Sequence, residues 1–104
     1  MSSAAPHPSG SFNVYVIALD DSRRKDTERR AVYVGQTAKT PEARLAQHKS
    51  GERHSRVVRD FGIELCPDLY ERFNPISTRE GAEAREVRLA EGLRRLGFTV
   101  YGGH

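Results

Sequence analysis

Several side chains in this chain have types and spacings that suit chemistry. Tyr15 and Tyr33 sit in matching Val-Tyr-Val runs, and only the second run closes on a glycine, Gly35. Side chains alternate along a strand, so an antiparallel hairpin can bring both phenols to one face. That arrangement is either ordinary hairpin packing or one wall of a catalytic site. Gly35 removes a side chain just past Tyr33 and leaves room for another backbone or a ligand. Arg44 and His48 are four residues apart, so on a helix they project from one side. They form either a solvated polar face or part of a site, with Lys39 near enough to contribute. Glu86 falls in an apolar stripe, between Ala82 and Leu89. A carboxylate there needs a partner, because burying an unpaired charge is costly. The partner is either an arginine or a metal ion.

The elements that must position these residues are legible in outline. Residues 1–11 are small and aperiodic and read as a flexible start. Residues 12–19 and 30–34 read as strands. Between them, 20–29 carry eight charges in ten residues and read as a solvated loop. Thr40, Pro41 and Gly51 supply the cap, first turn and stop of a helix. Residues 55–62 read as a short helix and 64–73 as an extended edge segment interrupted at Pro67. Ser77 and Glu80 suggest a capping box for a long helix ending at Gly97, with Leu96, Val87 and Ala90 joining its apolar stripe. Residues 98–101 read as a last short strand. The expected fold is α+β: a small, mostly antiparallel sheet of about three strands flanked by helices, in one domain over 12–104.

Composition narrows the partners. A net charge of +3 and a pI near 9.4 suit an anionic partner such as nucleic acid. A single cysteine, Cys66, excludes an intrachain disulfide and a Cys-rich zinc site, and its apolar setting reads as a buried small residue. There is no secretory h-region and no apolar run near ~18 residues, so the reading is cytoplasmic, with no membrane partner.

Taken together, these residues resemble a GIY-YIG nuclease domain. Asn13-Val14-Tyr15 stands for the first motif of that family and Tyr33-Val34-Gly35 is a close match to the second. Arg44 and His48 fall at the family's helical arginine and the histidine often found after it. Glu86 falls at the metal-binding glutamate. The resemblance covers roughly residues 12–103. Three features depart from it: Asn13 replaces a glycine, the segment between the motifs is longer, and "VYGGH" stands where an asparagine is often found.

The resemblance implies a metal-dependent endonuclease hydrolysing DNA phosphodiesters with one Mg²⁺ or Mn²⁺ held by Glu86. Arg44 would stabilise transition-state charge, Tyr15 or Tyr33 would serve as general base, and His48 would take or relay the proton. Gly35, Lys39, Arg53 and Arg56 are candidate nucleic-acid contacts, as is the charged 20–30 loop. Target choice would come from this surface, a homo-oligomer or a partner protein. The alternative is a catalytically silent nucleic-acid-binding module with the same fold.

Overall fold

A computed structural model describes residues 11–20, 30–51 and 55–103. The expected flexible start, apart from Ser11, and nearly all of the charged 20–30 loop lie outside these residues, as does Arg53.

The fold is α+β. Four strands form one mixed sheet in the order β3-β1-β2-β4. β1 (Asn13–Leu19) and β2 (Ala31–Thr37) pair antiparallel, with Tyr15 opposite Gly35 and Ile17 opposite Tyr33. β3 (Gly62–Leu65) pairs antiparallel with the other edge of β1. β4 (Thr99–Gly102) runs parallel to β2. The sheet thus has one strand more than expected and one parallel pair. A parallel partner needs a crossover, and the long helix preceding β4 supplies it.

α1 (Pro41–Ser50) begins where Thr40 Oγ1 accepts from the Ala43 N–H at 3.0 Å. It ends at Gly51, whose φ of 87° is left-handed. α2 (Arg56–Phe61) is one short helix. α3 (Arg79–Arg95) is capped by Thr78, not Ser77: Thr78 Oγ1 accepts from the Gly81 N–H at 2.9 Å. Its buried side comprises Ala82, Glu86, Leu89, Ala90 and Leu93. Val87 and Leu96 are exposed, contrary to the expected stripe. Val87 is rotated about 100° from Glu86 and Leu96 lies beyond the last turn. Arg85 is half-buried, with its guanidinium 4.4 Å from the Phe73 ring centre.

The expected extended segment 64–73 is extended only to Leu65. Pro67 opens the first of two 3₁₀ turns, Pro67–Leu69 and Glu71–Phe73. Proline fixes φ and donates no N–H, so it suits a tight turn better than a ladder. The outer edge of β1 is nevertheless paired along its length. Val16 O accepts from the Cys66 N–H, and the Asn74 amide both accepts from Val14 N–H and donates to Val14 O, each at 2.8 Å. One side-chain amide thereby replaces a strand residue.

The core lies on both faces of the sheet. Val14, Val16, Ile17, Val34 and Val58 are fully buried. Cys66 is only half-buried, and burial pushes its thiol up from the usual value, which disfavours the thiolate. No described helix is long and apolar enough to cross a membrane.

Candidate functional site

The two tyrosines share a face of the β1–β2 hairpin. Tyr15 pairs with Gly35, Tyr33 is two residues away on that strand, and the ring centres are 6.2 Å apart. Tyr15 is almost wholly buried at 1% exposure, whereas Tyr33 is half-buried. The expected room beside Gly35 is filled by the protein itself. A Cβ there would stand 2.5 Å from Tyr15 Oη and 2.7 Å from Cζ. Gly35 admits the Tyr15 ring, so this space is not open to a ligand. Tyr33 has the same relation to β4: a Cβ on Gly102 would come within 2.9 Å of the Tyr33 ring, and Gly102 has a φ of 74°. The Gly102-Gly103 tail therefore helps to seat the second phenol.

α1 turns an unusual face to the sheet. His48 is fully buried and Arg44 half-buried, so the pair is not a solvated face. His48 Nε2 is 3.0 Å from Tyr15 Oη, and the Ser55 backbone N–H donates to Nδ1 at 2.8 Å. A backbone amide only donates, so Nδ1 is the unprotonated nitrogen. In the neutral ring the proton is on Nε2, and His48 donates to Tyr15 Oη. With both nitrogens engaged, His48 is a fixed donor and is not poised to accept a proton. The His48 and Tyr33 rings meet edge to face at 5.6 Å.

The electrostatics tie in the remaining residues. Burial raises the Tyr15 phenol well above the usual tyrosine value, reinforced by Tyr33 and, more weakly, Glu86. The charge and hydrogen bond of Arg44 oppose this rise. Burial also raises Tyr33, followed by the Glu86 carboxylate; Arg44 and a hydrogen bond with the Ser55 side chain act in the opposite direction. Arg44 Nη1 also donates to Gln47 Oε1 at 2.9 Å, which restrains the guanidinium. Tyr15, Tyr33, His48 and Arg44 are thus in mutual reach, and Glu86 is felt by both phenols.

Glu86 approaches from α3, on the other side of β2. β4 pairs with β2 only as far as Val34, and Gly103 N–H takes the Val34 carbonyl. Beyond that point Gln36 and Glu86 line an open groove of about 540 Å³ with Glu80, Glu83, Ala84 and Val87. Among the described residues, no group of three or more His, Cys, Asp and Glu side chains could enclose a metal. The donors present suit a different kind of site. One carboxylate and a buried amide oxygen, Gln36 Oε1, which accepts no hydrogen bond among the described residues, are hard ligands for a cation that keeps most of its water.

Other candidates stand apart. The Lys39 carbonyl accepts from the Asn13 side chain at 2.9 Å, and Lys39 lines a shallow depression on the outer side of α1. Arg56 is exposed on the first turn of α2. Ser55 and Gln36 were not among the expected site residues. Ser55 acts through its backbone N–H on His48 and its side chain on Tyr33, with no sequence signature for either, and Gln36 directly follows the Tyr33-Val34-Gly35 motif with no pattern of its own.

No family model, curated protein or solved structure matches the chain. What this constellation does must follow from its own geometry.

Proposed function

We propose that the chain is a divalent-metal-dependent endonuclease hydrolysing DNA phosphodiester bonds, with Tyr15, Tyr33, Arg44, His48 and Glu86 as its site. One observation carries this reading: a buried phenol, Tyr15, receives a hydrogen bond from a tautomer-locked His48 and another from Arg44, beside the more exposed Tyr33. Such a cluster is a costly core. Aliphatic side chains would fill the space without a buried imidazole, and polar residues that break the packing rule mark functional sites.

The roles follow from exposure and donors. Tyr33 is the general base, because it is the phenol that an attacking water can reach. Its ionisation is opposed by burial and by Glu86, so neutralising Glu86 favours the phenolate. Tyr15 is a positioning residue, held by His48 and packed against Tyr33. Arg44 presents a planar guanidinium to the phosphate, where it stabilises charge that grows in the transition state. Glu86 would hold the cation, in the groove that Gln36 also lines; bound there, Mg²⁺ or Mn²⁺ would supply Lewis-acid stabilisation of phosphate charge. The net charge of +3 agrees with a polyanionic substrate.

The test is incubation of the purified protein with supercoiled, branched and single-stranded DNA plus Mg²⁺ or Mn²⁺, alongside Glu86→Ala. Metal-dependent nicking that the variant loses supports the reading. Binding without cleavage of any substrate identifies the silent binding module instead.

A further inference from the structure

Gln36 follows Gly35 on β2, so its side chain turns to the face opposite Tyr33. α3 packs on that face: a Cβ on Gly103 would lie between Ala90 of α3 and Val34 of β2, at 2.5 and 3.8 Å. Gln36 as a whole is only half-buried, yet its Oε1 is closed to solvent and accepts no hydrogen bond among the described residues. A buried acceptor without a donor costs stability, and the residue that carries it lines the same groove as Glu86.

We propose that Gln36 Oε1 is a second protein oxygen for the divalent cation, alongside the Glu86 carboxylate. The proposal rests on the nuclease reading, which places the cation at Glu86. A neutral amide oxygen is a hard ligand of the kind such cations take. Gln36 as a residue is only half-buried, and a turn about the end of its side chain would present that oxygen to the groove. Glu80 and Glu83 line the same groove and add negative potential that draws cations in. A single anionic ligand with a neutral one leaves most of the coordination sphere to water and phosphate oxygens, as turnover on a polyanion requires.

The opposing arrangement has the amide turned over, with Nε2–H donating to a groove carboxylate. Two substitutions separate them. Gln36→Met removes both the oxygen and the amide. Gln36→Glu keeps an oxygen ligand and removes the donor. The measurement is Mn²⁺ affinity of the full chain by titration calorimetry, with melting temperature recorded in EDTA and in Mn²⁺. The wild type is expected to bind Mn²⁺, Gln36→Met to bind roughly tenfold more weakly, and Gln36→Glu to bind at least as tightly as the wild type. In EDTA, Gln36→Met is expected to melt no lower than the wild type, because no hydrogen bond is lost, and its Mn²⁺-dependent rise should be smaller. Wild-type affinity in Gln36→Met, with binding lost in Glu86→Ala, overturns the role of Gln36 and leaves the cation at Glu86. Equal weakening by Gln36→Glu and Gln36→Met also overturns it and favours the donated hydrogen bond. No Mn²⁺ binding by the wild type overturns the cation reading itself.

Discussion

Tyr15 lies directly over Gly35, its cross-strand partner, so closely that a Cβ at 35 would stand 2.5 Å from the phenol oxygen. The glycine fixes where the first tyrosine sits. Gly35→Ala should therefore push a rigid, buried ring off its place and part it from His48. The expected cost is ~1–3 kcal/mol, typical of overpacking a core. Urea denaturation at neutral pH checks this; wild-type stability in the variant would mean that the ring shifts freely.

The Ser55 N–H at His48 Nδ1 fixes the imidazole tautomer. At neutral pH and above, long-range ¹⁵N NMR should find His48 protonated at Nε2 and bare at Nδ1. His48→Gln should retain a donor to Tyr15 better than His48→Phe and keep more activity. The Nδ1–H tautomer in the NMR spectrum would contradict the donor role of His48.

Both site phenols have folded-state values above the ordinary ~10. Above that pH the unfolded chain releases protons that the folded chain retains, so stability must fall as pH rises. Below it both states are neutral and the phenols contribute no slope. Denaturant midpoints measured from pH 8 upward should decline beyond about pH 10, with a shallower decline in Tyr15→Phe. An unchanged slope in that variant would show that Tyr15 is not the group concerned.

Arg44 bonds both Tyr15 and Gln47, which fixes the plane of its guanidinium. Arg44→Lys preserves the charge but loses the fork. Cleavage should fall roughly 100-fold, as for other transition-state donors, with circular dichroism unchanged. A lysine variant cleaving at the wild-type rate would reduce Arg44 to a nonspecific positive charge.

Much of this was legible in the residues. Val-Tyr-Val alternation predicted the shared face of Tyr15 and Tyr33, and the Thr40–Pro41–Gly51 signals bounded α1. Glu86 stood out because a carboxylate interrupted an apolar stripe. What was not legible depended on tertiary neighbours. Ser77 and Thr78 are both good caps, and it is Thr78 whose Oγ1 takes the Gly81 N–H. Pro67 signalled an interruption without saying that the chain would coil into 3₁₀ turns. Gly35 signalled a close approach without saying that Tyr15 would make it. The donor role of His48 comes from a backbone amide seven residues on, which side-chain patterns do not encode.

Hydrolysis of phosphodiesters through a cation at Glu86 is tested by single-turnover nicking of supercoiled DNA in Mn²⁺, wild type against Glu86→Gln. Glu86→Gln removes the charge and keeps the shape. The wild type is expected to nick in a reaction that EDTA abolishes and that is slowed at least ~100-fold in the variant. Equal rates in the two proteins, or no nicking by the wild type, would contradict it.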